Sequence, residues 1–529
     1  MLATISKRVQ GNVTGEILLN GCSISVELMN KISGFVPQQD LCIETLTVVE
    51  HMQLMAKLKM DRRLRAAQRT RKITSLITEL GLTKCSYTQL SALSGGERRR
   101  VALAVQLITD PAILFCDEPT TGLDSYSACV VVEKLRELAT RGKAVVCSIH
   151  QPASGIFDLF HSVLFLVPGG KIAYNGPVDK AVQLNMVCPP AYNVAEFLVS
   201  QLALKQHQSA DGSKLDEICS YFESSDIGRK LNKFLEAQLP GTGCSNWSSN
   251  NSESSMPQPE DEFIKYIQSP SQMMQLYWLL WRSLIDKIRR PQEEMLKLSL
   301  YVFIALLVST PYSGLIINQE GIQNMQGFLY LVIVETVFTF SYRVCNTFSG
   351  ELPILLREIG NGLYKPGPYY LSKILFWYVL PLLFATIVFN IAGLFGGFLG
   401  FCKFALPIIC SAIAASAYGC CISAVFEKIE FAALVSLCTM AIFLVRYVSM
   451  FYYGIEAVSI LQWSAVDHIP CSEKEDIPCF SSGDSVLQLY GYSPNNLLLD
   501  LLGLSLIYCT AHMAGYFAFQ RRSKKQATY

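Results

Sequence analysis

Residues Leu93–Ser125 read LSGGERRRVALAVQLITDPAILFCDEPTTGLDS, and this stretch decides the fold of the first 205 residues. Ser94-Gly95-Gly96 precedes a helical pattern, which sets a hydroxyl and exposed backbone amides at a helix N-terminus, a place suited to phosphate oxygens. The apolar strand 112–116 then delivers Asp117 and Glu118 at its C-terminal end, where ligands gather in parallel α/β sheets. One carboxylate at that place suits a magnesium shell, and the next suits a water aligned on a γ-phosphate. Two acids after a buried strand are common by chance; SGG, helix, strand, DE and GLD in this order are not.

Two more segments fit. AVVCSIHQP gives a buried strand at 144–149 that ends in His150, a single imidazole placed to contact a terminal phosphate. In isolation a histidine at a strand end is more often structural. GFVPQQD offers Gln38 after a short strand, able to reach magnesium and the attacking water; alone it reads as a surface turn. Taken together, the four elements suit phosphoryl transfer from a nucleotide, with little covalent work by the protein. Ahead of them, MLATISKRVQGNVTGEILLNG reads as a helix, a turn and a strand ending at Asn20-Gly21.

The whole chain has 529 residues, of which 51% are hydrophobic and only 16% charged, too apolar for an ordinary soluble enzyme. A net charge of +1 argues against nucleic acid as a partner, and Arg98 to Arg100 reads as the solvated face of a helix. The 18 cysteines are scattered without CxxC pairs or histidine partners, which argues against a zinc site or a dense disulfide scaffold. No cleavable signal peptide is expected, because the first residues are amphipathic.

Composition shifts along the chain divide it into a nucleotide-type domain at 1–205, a polar linker at 206–270, an amphipathic connecting helix at 271–292 and a lipid-like region at 293–529. Runs with little or no charge occupy 298–318, 321–342, 374–402, 404–426, 431–445 and 501–520, against the roughly 20 residues that a spanning helix needs. Six spans follow, with the lipid bilayer as a partner; the fifth run is short for a bilayer. An even count puts both termini on one side. Lys287, Arg289, Arg290, Lys297, Arg357, Lys365, Lys373, Lys428, Arg521, Arg522, Lys524 and Lys525 share that side, which the positive-inside rule makes cytosolic. Lys403, Arg446 and Lys474 fall opposite, and the loop at about 450–497 lies outside. In that loop a disulfide between Cys471 and Cys479 is favoured over two free thiols. Glu335, a carboxyl inside a span, is a functional candidate for the transport pathway.

The motifs carry a family resemblance. LSGGERRR resembles the signature sequence of ATP-binding-cassette ATPases, ILFCDEPTTGLD their Walker B strand and D-loop with Asp124, SIHQP their His switch, and FVPQQD their Q-loop. The order of the two halves, with NQEGIQNMQGFLY, LLREIGNGLYKPGPYYLSK, YYGIEAVSILQW and IPCFSSGDSVLQ, is similar to the White-type G subfamily of half-transporters. The resemblance implies an α/β P-loop-type nucleotide-binding domain, N-terminally truncated, followed by an all-α six-helix transmembrane domain. It implies ATP and Mg2+ as cofactors, with Gln38 and Asp117 on the metal, Glu118 and His150 catalytic, and Ser94, Gly95, Gly96 and Asp124 nucleotide-binding. It also implies a second half-transporter as partner, in a homo- or heterodimer, and a small organic substrate, a pigment precursor as in the White, Scarlet and Brown group or a lipid or sterol. The membrane is the plasma membrane or that of an intracellular vesicle. Glu351, Arg357 and Glu358, in the cytosolic loop after the second span, are the expected coupling contacts with the nucleotide domain.

The family pattern also calls for GxxxxGK[ST], which this sequence does not contain; Gly142-Lys143-Ala144 lacks both the spacing and the hydroxyl. Residue 1 is therefore expected to fall just after that loop, in a fragment or incomplete gene model or in an isoform with an inactive Walker site. The alternative to a transporter subunit is a catalytically incomplete membrane partner or scaffold that regulates an intact half-transporter.

Overall fold

A computed structural model describes residues 1–8, 14–39, 42–150, 152, 155–183, 189, 192–202, 211–238, 269–345, 348, 350–375, 379–394, 397–426, 428–442, 449–470 and 479–525. The chain divides into two compact units, Met1–Pro270 and Ser271–Thr528.

In the first unit, helix α1 (Leu2–Ile5) precedes a hairpin of β1 (Leu18–Leu19) and β2 (Cys22–Ser23). Its turn residues Asn20 and Gly21 have φ of 51° and 81°, the left-handed pair that makes Asn-Gly a hairpin turn. There follow α2 (Val26–Ile32), β3 (Ser33–Val36), α3 (Val48–Lys59), α4 (Ala66–Glu79), α5 (Gly95–Leu107), β4 (Ile113–Asp117), α6 (Ser125–Thr140), β5 (Ala144–Ser148), β6 (Ser162–Leu166), β7 (Ile172–Pro177), α7 (Val194–Leu202), α8 (Asp211–Ser224) and α9 (Asp226–Gln238).

Helical crossovers between β3, β4 and β5 oblige these strands to run parallel, and they pair in chain order with Val36 opposite Cys116 and Cys116 opposite Cys147. All four residues of β3 are buried, as are Leu114, Phe115 and Cys116 in β4, which explains why both read as unbroken apolar runs. β5 differs: Ala144 and Val146 are exposed, and among the described residues it pairs with β4 alone. β6 and β7 form an antiparallel pair around the buried Tyr174. Part of the polar linker expected at 206–270 is helical. Leu215, Cys219 and Phe222 of α8 recur at spacings of four and three, so they form one apolar face, buried against this strand pair, while Asp216 and Glu217 stay exposed.

The described residues of the second unit are built from helices: α10 (Gln272–Ile288), α11 (Pro291–Ser309), α12 (Gly321–Val344), α13 (Leu352–Gly360), α14 (Pro366–Ile374), α15 (Val379–Ala392), α16 (Gly397–Val425), α17 (Ile429–Ile442), α18 (Met450–Trp463), α19 (Gly483–Leu489) and α20 (Leu497–Lys525). Among the described residues, four segments, 291–312, 321–344, 397–425 and 494–523, are long and apolar enough to cross a membrane. The third and fifth runs instead hold helices of 14 residues, α15 and α17. The charge pattern predicts the break between the third and fourth runs at Lys403. The break falls earlier, at Gly393, whose φ of 66° ends α15 in a left-handed cap, and Lys403 lies inside α16 with its side chain exposed. The loop expected at 450–497 contains a buried helix, α18, because YYGIEAVSILQW is apolar nearly all round. Arg446, Cys471 and Lys474 lie outside the described residues.

One apolar core joins α11, α12, α15, α16, α18 and α20. Glycines set the closest approaches within it. A Cβ on Gly419 of α16 would collide with the Ser341 carbonyl of α12, and one on Gly454 of α18 would stand 2.9 Å from Ile333 of α12 and 2.5 Å from the Ser411 hydroxyl of α16.

Candidate functional site

The N-terminus of α5 is built by Ser94. Its hydroxyl accepts from the Glu97 amide at 3.3 Å while the Glu97 carboxylate accepts from the Ser94 amide at 3.0 Å and its hydroxyl at 2.8 Å, a reciprocal capping box. Those bonds from Ser94, backbone first, pull the Glu97 carboxyl below its ordinary pKa. The two glycines after Ser94 are required by what lies opposite. A Cβ on Gly95 would approach Leu123 at 3.3 Å, and one on Gly96 would meet Ser127 at 3.1 Å. The SGG turn is thus packed against the start of α6, where Asp124 caps the helix by accepting from the Ser127 amide at 3.0 Å.

The end of β4 carries the acids. Ser148, opposite Asp117 at the end of β5, donates from Oγ to Asp117 Oδ1 at 2.6 Å and accepts from the Glu118 amide at 2.9 Å. Glu118 has φ of 46°, so the chain turns sharply there and aims its side chain away from the strand direction. Its Oε2 accepts from Gln38 Nε2 at 2.7 Å and from the Thr121 hydroxyl at 3.0 Å. Gln38 is positioned in turn by Arg99, whose guanidinium donates to the Pro37 carbonyl at 2.9 Å and to the Gln38 carbonyl. The structure therefore brings together Gln38, Asp117 and Glu118. His150, exposed, follows β5 by two residues.

Two of these participants were missed or misread. Ser148 carried a faint signal as the hydroxyl inside CSIH. Arg99 was read with its neighbours as a solvated face, but it is buried, 7% exposed, because α5 turns it towards the loop after β3.

In the second unit the proposed coupling segment is knit to the connecting helix. Arg282 of α10 meets Glu358 of α13 at 2.8 Å with both side chains under 10% exposed, and Tyr364 donates to the same carboxylate oxygen. Glu351 accepts from Lys373 at 2.6 Å and from Tyr369 at 2.7 Å. Arg282 stands 5.8 Å over the Tyr364 ring, and the Tyr364 and Tyr369 rings stack at 5.9 Å. Burial works against the charge on Arg282, yet Glu358, Tyr364 and Glu351 outweigh it and hold the guanidinium firmly protonated. Burial likewise opposes ionisation of Glu351, and Lys373 and Arg282 together still lower its pKa. Glu351 and Glu358 are thus bonded within their own unit, and Arg357 of α13 is half-buried.

Glu335 is half-buried in α12 and accepts from the Thr339 hydroxyl at 2.7 Å. Cys479 is in a disulfide, while the partner expected for it, Cys471, lies outside the described residues.

A parallel sheet that gathers Gln38, Asp117 and Glu118 beside a capped SGG turn defines a nucleotide-binding half, here followed by helices of membrane-spanning length. Comparison with known proteins agrees. The family model described as "ABC transporter" matches residues 1–121, and that described as "ABC-2 type transporter" matches residues 274–466. Protein scarlet of Drosophila melanogaster is 32% identical, the alignment covering 97% of this chain and 80% of that protein. Protein white of the same fly is 30% identical over 98% of this chain and 78% of its own length. The Caenorhabditis elegans "ABC transporter ATP-binding protein/permease wht-1" is 29% identical over 97% and 81%. The chain belongs to the ATP-binding-cassette half-transporters of the G subfamily, the White, Scarlet and Brown kind. It is accordingly an ATP-binding membrane protein that works as a dimer to move a small molecule across a membrane.

Proposed function

We propose that Glu118 orients or activates the water that attacks the γ-phosphate of ATP, with Gln38 and Asp117 holding Mg2+ and His150 meeting the terminal phosphate. The donor set fits the metal, since carboxylate and amide oxygens are the hard ligands magnesium takes. Magnesium supplies charge neutralisation of the phosphates when bound. The chain's own part is positioning: Ser148 orients Asp117 and the Glu118 backbone, and Arg99 fixes the Gln38 segment. Ser94, Gly95 and Gly96, with Asp124, act on the ATP of a second half-transporter, in a homo- or heterodimer. The single observation that carries this reading is the 2.7 Å bond from Gln38 to Glu118, which joins segments 80 residues apart.

The reading extends to the membrane half. Both termini and the nucleotide-binding half are cytosolic, in the plasma membrane or a vesicle membrane, and the loop with Cys471 and Cys479 is outside. The substrate is a small organic molecule of the pigment-precursor or lipid class, and Glu335 faces its path. Glu351, Arg357 and Glu358 belong to the segment that couples the halves, supported by the bonds tying it to the connecting helix.

The experiment co-expresses the chain with an intact half-transporter and measures ATP turnover and vesicle transport. Ser94→Arg is expected to abolish turnover at the site it completes. Glu118→Gln is expected to lower turnover at its own site by about 10²–10⁴ while nucleotide binding persists. Turnover that survives Glu118→Gln but not Ser94→Arg identifies a subunit that works through its signature alone, the regulatory-partner reading. Normal turnover in both variants would refute the site.

A further inference from the structure

Cys116 and Cys147 lie directly opposite each other on the adjacent parallel strands β4 and β5. Adjacent strands run about 4.8 Å apart, inside the 4.4–6.8 Å that a disulfide allows between Cα atoms. Paired residues share a face, and the two thiols are close enough to interact directly. Cys116 is buried, 1% exposed, whereas Cys147 is half-buried and opens the pair to solutes. Cys147 is therefore the sulfur that an oxidant in solution reaches first.

The pair sits one residue from the chemistry. Asp117 follows Cys116, Ser148 follows Cys147, and the Ser148 hydroxyl bridges Asp117 and the Glu118 amide on the opposite face of the strands.

We propose that Cys116 and Cys147 are a reversible oxidation site, closing to an intrachain disulfide under a peroxide and reopening under a cytosolic-type thiol. The Cys147 thiolate attacks one oxygen of hydrogen peroxide; an S–O bond forms, the O–O bond breaks, and the departing hydroxide takes a proton to become water. The Cys116 sulfur then attacks the resulting sulfenic acid, its S–O bond breaks, and a second water leaves. Two thiols and one peroxide give one disulfide and two waters. Reduction begins on the accessible Cys147 sulfur: two molecules of a glutathione-class thiol restore both cysteines and become a disulfide themselves. A disulfide prefers a Cα separation of about 5.5–6 Å, so a direct cross-strand link spreads the strand ends and displaces the Ser148 bridge; that consequence rests on the reading of Asp117 and Glu118 as the ATP site.

The test treats the purified full chain with hydrogen peroxide, alkylates the remaining thiols and maps peptides by mass. Expected is a linked pair of peptides holding Cys116 and Cys147, two hydrogens lighter than the reduced pair, released by a thiol and absent from Cys147→Ser and Cys147→Ala. Equal alkylation of both cysteines with and without peroxide overturns the proposal, as does Cys147 oxidised to a sulfonic acid beside an unreacted Cys116. In the assembled dimer, oxidation is expected to lower ATP turnover about tenfold and reduction to restore it, with Cys147→Ser unresponsive. A link that forms without changing turnover overturns the effect on the site, and Glu118→Gln reports separately whether that site hydrolyses ATP at all.

Discussion

Asp117 and Glu118 in the first unit, and Glu351 and Glu358 in the second, are both pairs of acids held by hydrogen bonds, but their donors differ in kind. The described bonds to Asp117 and Glu118 come from neutral groups: the Ser148 and Thr121 hydroxyls and the Gln38 amide. Glu358 and Glu351 are each met by a cation, Arg282 and Lys373. Neutral donors fix the direction of a carboxylate and leave its charge available to an incoming cation, whereas an ion pair uses that charge in holding two elements together. The first arrangement suits a site that is filled and emptied. The second suits a joint that stays made.

The sharpest way to break this contrast is to remove one cation. Arg282→Met leaves the buried Glu358 carboxylate without its cation, and a loss of about 3–5 kcal/mol is expected, read as a lower unfolding temperature of the purified chain. Adding Glu358→Gln should recover most of that loss. Equal stability of wild type and Arg282→Met would mean that the pair is no joint.

Ser148→Ala probes the other arrangement. It removes one neutral bond to Asp117 and the acceptor for the Glu118 amide, so stability should fall by only about 1 kcal/mol, while ATP turnover of the dimer falls about tenfold. If unfolding changed as much as it does in Arg282→Met, the two acid pairs would be doing the same structural work.

The smallest effect is a dependence on pH. The folded-state pKa of Glu351 is depressed, so its contribution is fully present above the ordinary carboxylate value of about 4.3 and is lost as pH falls through the folded value. With 29% of the side chain exposed, the contribution is under about 1 kcal/mol. The unfolding temperature of wild type should therefore drop slightly more than that of Glu351→Gln between neutral pH and pH about 4; identical slopes would show that Glu351 is not held by charge.

What could be read from the sequence was what is local. SGG before a helix, DE after a strand and a strand ending at Asn-Gly each place backbone and side chain within a few residues, so spacing alone announces them. Ser148, Arg99 and Arg282 were not legible because their partners lie 31, 62 and 76 residues away, and nothing in a run of neighbours says which distant carbonyl or carboxylate will arrive. The polar stretch around 215 misled for a related reason: its mean polarity is high, and only the spacing of Leu215, Cys219 and Phe222 shows the face that packs. Lys403 misled because one charge in an apolar run looks like a boundary, when a glycine able to take a positive φ sets it.

Gly419 and Gly454 limit how the second unit can move. Where the backbone of α16 at Gly419 meets that of α12 at Ser341, and the side chains of Ile333 and Ser411 seat against Gly454 of α18, sliding one helix along another would first have to lift them apart, because the residues on either side of each glycine cannot pass through the contact. Relative sliding of these three helices is therefore the costly motion, and shifts that carry them together are the cheaper ones.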